Sequence, residues 1–459
     1  MDFSDVVATI RASAAVRILV AAAAMYALLW VYAYSKSLSA RGRFLLGLAA
    51  AGVACVGILL CCRSVVTNFL SPREWDFLCF WTYGRALALG QSPYDIEVLR
   101  EIAAPQSPTA DFLQVNICLY PPMSLPLFWP FGHLPFQASM AAWYVVQGFA
   151  LIACVILFRK LWDETNSWLG LLVALAIFFT WHSTQSTLYY GQTNFLILLA
   201  IFGVVFAQSP YWRGICLGLA IVVKPIAAIL LIDLAIRRQW RSLLAVLVPP
   251  IVALGLFLTM QGGPGLSSYL NRPPTEGVDA YPYYIGTANQ SLLGVLLRWF
   301  EVAPLARPVF YPPFIVLAGL LTVITMAVLA RLPSDAAPLG IGYVLTLALL
   351  VYPGTQMYYS LWLLVPFALL WRQRDSLPGG SWVAPLAISL AYGLIWTRWS
   401  FAAHLVAWLA MTALLGLRTL RATAPADQLS CQEATQSSAP ASAATARLTM
   451  SRAANTTGS

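Results

Sequence analysis

Charged side chains are scarce in this chain. Only 10% of its 459 residues are Asp, Glu, Lys or Arg, whereas 60% are hydrophobic. This composition excludes an ordinary water-soluble domain, because such domains carry about 25% charged residues. Several runs exceed the ~18 apolar residues that a helix needs to cross a bilayer. We therefore predict an all-α polytopic membrane protein.

Metal-binding and nucleotide-binding motifs are also missing. No two of the three histidines have metal-ligand spacing, and the eight cysteines include no CxxC pair. Neither a Walker loop nor a dinucleotide fingerprint occurs. The sequence thus predicts no metal ligand and no cofactor, and it gives no support to a nucleotide-using cytoplasmic enzyme. Cys79 and Cys118 fall in one predicted loop, but their spacing does not decide whether they pair.

The excess of basic residues follows the membrane pattern. The net charge is +9, and the basic residues punctuate the apolar runs. Cytoplasmic loops of membrane proteins are enriched in Lys and Arg, so the excess indicates membrane topology and no nucleic-acid partner. The predicted cytoplasmic clusters are Lys36/Arg41/Arg43, Arg159/Lys160, Arg213, Arg237/Arg238/Arg241, Arg331, Arg372/Arg374 and Arg418/Arg421.

About 13 membrane segments are predicted at the ~20-residue span rule. The runs are 15–35, 44–66, 138–158, 168–187, 194–208, 214–224, 226–238, 242–260, 309–330, 337–352, 358–371, 382–397 and 400–418. With the basic clusters inside, the N-terminus lies outside and the C-terminus inside, and the alternative is a 12-segment version with the N-terminus inside. Two long loops, 67–137 and 261–308, face the same outer side, and long ordered loops usually carry function.

These features divide the chain into three parts. Residues 1–43 form an extra N-terminal transmembrane segment with a cytoplasmic loop, and residues 44–418 form the main membrane domain. Residues 419–459 are predicted to be a disordered cytoplasmic tail, because the stretch is rich in Ala, Ser and Thr and cannot build a core.

Lys224 interrupts an apolar stretch and is followed directly by Pro225. A charged side chain at membrane depth is costly and usually marks a functional site. Since proline disfavours helix at the preceding residue, we expect a helix break here and a site for an anion. The competing interpretation is a lysine that extends to the membrane interface.

Asp76 begins an amphipathic stretch, DFLCFWTYGRALALG, in the first long loop. A carboxylate beside aromatic residues near the bilayer has a raised pKa, which suits a general base that accepts a proton from a hydroxyl. Tyr83 lies seven residues further on and shares its helix face. Glu74 is a competing carboxylate, and a helix N-cap is the structural alternative for Asp76.

Other polar candidates also fall at the outer ends of the segments. Gln192 and Asn194 lie in YYGQTN, where amides can bind sugar hydroxyls or phosphate oxygens or can simply form a polar turn. Gln290, in ANQSLLG, could equally belong to a helix cap. Tyr358 and Tyr359, in YPGTQMYY, either donate hydrogen bonds into a site or belong to an interfacial aromatic belt.

The order of these motifs resembles glycosyltransferase family 87, the polyprenol-phosphate-mannose-dependent α-mannosyltransferases with the C-type membrane glycosyltransferase fold. The resemblance extends from about Trp75 to Trp371. Its pieces are WDFLCFWTYGRALALGQSPYD, YPPMSLPLFWPFGHLP, YYGQTNFLILLAIFGVVF, WRGICLGLAIVVKPIAAILLIDLAIRRQWRSLLAV and NQSLLGVLLR.

The resemblance implies a fold of about 12–13 transmembrane helices with two large extracytoplasmic loops. It implies that Asp76 is the catalytic base and that Lys224, Gln192 and Asn194 bind the phosphate or sugar of the donor. Gln290 and Tyr358 are predicted as further donor contacts from their residue types and positions. Family members often carry histidines where this chain has Tyr358 and Tyr359, and the first segment lies outside the common core.

The predicted function is inverting transfer of a hexose or pentose, with mannose expected. The donor is a polyprenyl-phosphate sugar, the acceptor a lipid or glycan, and the active site lies on the extracytoplasmic face of the inner (plasma) membrane. A lipid-linked sugar transporter or flippase, or a polysaccharide ligase or polymerase, is the alternative. The sugar, the acceptor, the linkage and the oligomeric state are not encoded in any motif.

Overall fold

The computed structural model describes residues 3–70, 76–106, 120–163, 167–271, 289–300, 309–333, 336–377, 379–396 and 399–422. Within these residues the secondary structure is helical, apart from one isolated antiparallel bridge between Asn289 and Gln356. The predicted all-α fold is confirmed. Glu74, Cys118 and the predicted tail from residue 423 onward lie outside the described residues.

The first half of the chain forms helices α1 (Phe3–Ala33), α2 (Ala40–Leu70), α3 (Asp76–Ala88), α4 (Ile96–Ala103), α5 (Trp129–Gly132), α6 (Phe136–Trp162), α7 (Trp168–Thr180), α8 (His182–Tyr190), α9 (Asn194–Phe206) and α10 (Pro210–Val223). The second half forms α11 (Leu231–Ile236), α12 (Trp240–Val246), α13 (Val248–Leu270), α14 (Leu292–Trp299), α15 (Tyr311–Arg331), α16 (Ala337–Val351), α17 (Leu364–Gln373), α18 (Gly380–Ile395) and α19 (Ser400–Ala422). Short 3-10 segments occupy Ser35–Ser37, Pro122–Leu127, Pro225–Leu230 and Met357–Leu363.

Six described helical stretches are long and apolar enough to cross a membrane, and the pair α7–α8, bent by 54°, would make a seventh. The six are Val16–Ala33, Ala40–Leu70, Phe136–Trp162, Trp240–Leu270, Tyr311–Arg331 and Ser400–Leu420. Shorter apolar helices include α9, α10, α16 and α18. Every predicted run falls on a helix or a broken helix, so a polytopic membrane protein is confirmed, whereas the count of 12–13 spans stays a prediction.

The first long loop contains ordered helices that pack on the end of α6. Phe80 of α3 stacks on Phe128 with ring centroids 4.5 Å apart, and Phe77 lies 5.8 Å from Trp143 of α6. Gly84 lets α3 approach the backbone of Phe128 so closely that a Cβ atom would clash with it. This aromatic packing holds the start of α3, and therefore Asp76, against the helix bundle.

The long helices α2 and α6 separate two ends of the molecule. Arg43 lies near the start of α2, and Leu70 at its other end comes just before α3, about 40 Å away at ~1.5 Å per residue. Along α6, Phe136 packs near Phe77 while Trp162, at the far end, stacks on Trp371. These are called the Asp76 end and the Arg43 end below.

Candidate active site

Helix α10 ends at Val223, and the break in the chain places Lys224 in the interior of the protein. Pro225 has no N–H to continue the helical ladder, and Lys224 takes an extended conformation with φ −147° and ψ 120°. Ser124, in the 3-10 segment of the first loop, donates its hydroxyl to the carbonyl of Val222. The predicted break at Lys224 is therefore present, and a side chain from the first loop satisfies a carbonyl that the break leaves without its helical partner.

The Lys224 ammonium group is buried, with 4% of the residue exposed. Its Nζ donates to Oε1 of Gln192 at 2.7 Å and lies 4.1 Å from the ring centroid of Tyr359 and 5.2 Å from that of Tyr358. Among the described residues Lys224 forms no ion pair with a carboxylate. The lysine is therefore held inside the protein instead of extending to the membrane interface.

The left-handed backbone conformation of Gly191 positions Gln192. Gly191 ends α8 with φ 65°, its N–H bonds to Leu188 O, and the N–H of Gln192 returns to Thr187 O at 2.9 Å. This pair of bonds is the Schellman arrangement that closes a helix. The carbonyl of Gly191 accepts from Trp143 Nε1 at 2.8 Å, so the turn is anchored to α6.

The side chain of Gln192 links three of the predicted site residues. Its Oε1 accepts from Lys224, and its Nε2 donates to the hydroxyl of Tyr358 at 3.2 Å. The same side chain lowers the pKa of the Asp76 carboxyl, against the effect of burial. One amide thus interacts with a cation and with a carboxylate that come from positions far apart in the sequence.

Asp76 is half-buried at the start of α3, which is not among the helices that are apolar enough to cross a membrane. Burial raises the pKa of its carboxyl above the usual value, and the interactions with Gln192 and with the charge of Lys224 offset this only in part. A carboxylate with a raised pKa beside a cation has the properties of a general base.

Asn194 lies at the start of α9 and faces the same cluster. Its Nδ2 donates to Thr187 Oγ1 at 3.3 Å and to the main-chain oxygen of Tyr358 at 3.4 Å. Within the described residues the buried Oδ1 of Asn194 and the hydroxyl of Thr193 have no hydrogen-bond partner. Such buried polar atoms are costly unless a ligand or water satisfies them.

Tyr358 and Tyr359 are buried in the 3-10 segment Met357–Leu363, with 9% and 6% of each residue exposed. Tyr359 stacks on Trp362 with ring centroids 5.4 Å apart and the rings 3° from parallel. The two tyrosine rings therefore line the surroundings of Lys224 instead of facing the bilayer as an aromatic belt would.

Gln290 braces the segment that carries the two tyrosines. Its N–H donates to Thr355 O at 2.6 Å, and its Oε1 accepts from the N–H of Phe401 at the start of α19. Next to it, Ser291 caps α14 by accepting from Gly294 N at 3.0 Å. These bonds show that Gln290 holds the segment before Tyr358 in place against the start of α19. Tyr83 lies buried in the aromatic cluster of α3.

Three residues that the sequence analysis passed over also support the site. Gln147 of α6 donates to the carbonyl of Gln192 at 2.7 Å, and Trp143 and Ser124 act as described above. Gln147 is an amide within the apolar run 138–158, and a buried polar residue in a membrane helix is itself a signal of function or packing. Trp143 and Ser124 have no such signal, because their roles depend on distant backbone carbonyls.

Comparison with known proteins identifies the family of this chain. The model of glycosyltransferase family 87 matches residues 119–353, just over half of the chain. The chain belongs to glycosyltransferase family 87. The matched part of this family 87 protein contains Gln192, Asn194, Lys224 and Gln290, whereas Asp76, Tyr358 and Tyr359 lie outside it.

The similar curated proteins have two kinds of name. An α-(1→3)-arabinofuranosyltransferase of Mycobacterium tuberculosis (strain CDC 1551 / Oshkosh) is 29% identical over 187 residues, which cover 38% of this chain and 41% of that protein. Its Corynebacterium glutamicum namesake is 28% identical over 260 residues, or 53% and 57% of the two chains. A polyprenol-phosphate-mannose-dependent α-(1-2)-phosphatidylinositol mannoside mannosyltransferase of M. tuberculosis (strain H37Rv) is 25% identical over 305 residues, or 61% and 67%.

The chain thus spans about one third to three fifths of the length of the arabinofuranosyltransferases that it matches. No solved structure matches it. Within the described residues no group of three or more His, Cys, Asp or Glu side chains is placed to hold a metal ion.

Proposed function

We propose that this family 87 protein transfers a sugar from a polyprenyl-phosphate donor to a hydroxyl of a lipid or glycan acceptor, at the Asp76 end of the bundle. In this proposal Lys224 binds the donor phosphate and Asp76 is the general base. The proposal places the chain in the inner membrane with this end on the extracytoplasmic side, which agrees with the basic clusters at the opposite end.

One observation carries the proposal: the buried Lys224 is hydrogen-bonded to Gln192, and both side chains act on the pKa of the Asp76 carboxylate. A buried cation without an ion-paired carboxylate is costly on its own, so its surroundings favour an anionic ligand. Gln192 takes one of the three N–H donors of Lys224, which leaves two for phosphate oxygens. The unpartnered Oδ1 of Asn194 provides an acceptor for a sugar hydroxyl.

The proposed step is a single displacement with inversion. The acceptor hydroxyl attacks the anomeric carbon and gives its proton to the carboxylate of Asp76. The new glycosidic C–O bond forms while the bond between the anomeric carbon and the phosphate oxygen breaks, and the electron pair leaves with polyprenyl phosphate. Lys224 stabilises the negative charge that develops on this phosphate, and such preorganised electrostatics usually provide the largest part of catalysis.

The sugar follows from neither the geometry nor the relatives' names. Those names specify arabinofuranose in some proteins and mannose in others. We keep mannose as the expected hexose and arabinofuranose as the pentose to be compared with it. The rival transporter function is less well supported, because the polar groups gather at one end and a transporter needs them near the bilayer midplane.

The test supplies the purified protein, reconstituted in bilayers, with radiolabelled polyprenyl-phosphate mannose and polyprenyl-phosphate arabinofuranose, each with a membrane extract as acceptor. We expect one donor to be consumed and its sugar to appear in a glycolipid or glycan. Asp76→Asn should lower the rate by about 10²-fold or more, the usual contribution of a general base. Glu97→Gln is the matched control, because Glu97 is an exposed carboxylate in the same loop.

Thermal unfolding separates a catalytic role of Asp76 from a folding role. Because its pKa is raised in the folded protein, the ionised group destabilises the fold increasingly as the pH rises from the unfolded through the folded pKa. Asp76→Asn should therefore keep or raise the Tm at neutral pH. Wild-type turnover in this variant would refute the base assignment, and consumption of neither donor would refute the function.

A further inference from the structure

A second cavity lies at the Arg43 end, far from the candidate active site. It has a volume of about 580 Å³, and its walls come from the α1–α2 connection, the α6–α7 connection and the end of α17. Aromatic rings form its inner side: Trp162 stacks on Trp371 with centroids 4.8 Å apart and the rings 1° from parallel. The mechanism proposed above uses none of these residues.

Four cations line this cavity, namely Lys36, Arg43, Arg372 and Arg374, against the two carboxylates Asp163 and Asp375. Both carboxylates are already engaged. Asp163 accepts from Ser167 N at 3.0 Å and Ser167 Oγ at 2.9 Å, and Asp375 pairs with Arg374 at 3.3 Å. Within the described part of the chain neither Lys36 nor Arg43 forms an ion pair. The cavity therefore has an excess of positive charge.

A separate apolar groove of about 420 Å³ lies further along α1 and α2, where Tyr392 and Trp396 also line it. Leu28 and Val31 lie on α1 just before Tyr32, which lines the cavity, and Leu46 lies one turn after Arg43 on α2. The groove extends to Ala21 and Val53, about 15 Å along the helices at ~1.5 Å per residue. A basic cavity followed by an apolar groove in the membrane matches the shape of a lipid with a phosphate headgroup.

We propose that this cavity binds the phosphate headgroup of an anionic lipid, with one hydrocarbon chain in the α1–α2 groove. Basic pockets between membrane helices on the cytoplasmic side are suited to such headgroups. The four cations all lie outside residues 119–353, so the family match does not include them. The cytoplasmic assignment of this end rests on the proposed orientation, whereas lipid binding does not depend on the proposed transferase activity.

The test is native mass spectrometry of the full-length protein in detergent, titrated with phosphatidylglycerol, polyprenyl phosphate, phosphatidylcholine or inorganic phosphate. The double variant Lys36→Gln/Arg43→Gln should bind the anionic lipid about 25-fold more weakly, at roughly fivefold for each basic residue. The matched control is Arg41→Gln/Arg241→Gln, which removes the same charge from exposed residues outside the cavity and should bind as wild type does.

A second variant, Ala49→Trp, fills the groove and leaves the cations in place. It should also weaken lipid binding. Tighter binding of phosphatidylglycerol than of polyprenyl phosphate, or the reverse, supports the proposal and identifies the source of the headgroup. Equal binding of phosphatidylcholine, equally strong binding of inorganic phosphate, or unchanged binding in both test variants would overturn it.

Discussion

At the scale of single residues, Lys224 determines the character of the candidate site. Its ammonium group contacts one amide oxygen and the faces of two tyrosines. Aromatic faces stabilise a desolvated cation by about 2 kcal/mol, which is less than the several kcal/mol that its burial costs. A bound phosphate would supply the difference in free energy.

Lys224→Met removes the charge and keeps the length of the side chain. We expect binding of polyprenyl phosphate, measured by titration of the purified protein, to weaken about 10- to 100-fold, because a hydrogen bond to a charged group contributes about 1.5–3 kcal/mol. The Tm should not fall, because the variant no longer has to bury a charged group. Lys160→Met is the control, because Lys160 lies over the Phe206 ring instead, at 5.2 Å. Unchanged affinity in Lys224→Met would contradict the phosphate role.

At the scale of elements, the α8–α9 turn aligns the base with the phosphate site. Gly191 has φ 65°, and a Cβ atom there would lie 2.8 Å from Cβ of Phe77, the residue after Asp76. The turn therefore touches α3 at the point where the catalytic carboxylate is proposed. Gln192 follows Gly191 directly in the sequence. The left-handed conformation of Gly191 therefore sets both the contact of the turn with Phe77 and the position of Gln192 beside Lys224.

Gly191→Ala should lower sugar transfer by about tenfold or more, because α3 must shift away from the turn; a displacement of ~1 Å can cost about 10²-fold in rate. Gly90→Ala is the matched control, since Gly90 has φ 68° and open space around its Cβ position. Both variants should lose about 1–2 kcal/mol of stability from the left-handed conformation. The measurement is kcat/KM together with Tm, and equal activity in the two variants would argue against the alignment role.

At the scale of the whole molecule, two long helices keep two polar regions about 40 Å apart. The Asp76 end carries the candidate active site, and the Arg43 end carries the basic cavity and most of the basic clusters. Basic residues favour the cytoplasmic side of a bilayer. The distribution of charge therefore favours the proposed orientation, with the Asp76 end outside.

Cysteine labelling in intact cells tests this orientation. In a background that lacks Cys55, Cys62, Cys118 and Cys431, a membrane-impermeant maleimide should label Glu97→Cys at the Asp76 end and leave Arg41→Cys at the other end unlabelled. Both variants should be labelled after permeabilisation. Labelling of Arg41→Cys alone in intact cells would reverse the proposed orientation and place the site in the cytoplasm.

Local features were predictable from the sequence. Hydropathy alone located the helical runs, because each span must bury its backbone polar groups within its own helix. The break at Lys224 was predictable as well, since Pro225 lacks the N–H that a helix needs. The motif resemblance correctly indicated the family from a few short pieces in a fixed order.

Distant contacts were not predictable. Whether Tyr358 and Tyr359 face the bilayer or Lys224, and whether Gln290 contacts the ligand or braces the turn, depends on helices that meet from positions far apart in the sequence. The basic cavity combines three loops in the same way. The sequence by itself thus determined the membrane class, the helix positions and the chemistry of the candidate residues. Only the tertiary structure decided which of those side chains share one site, because packing between helices has no signature in any single segment.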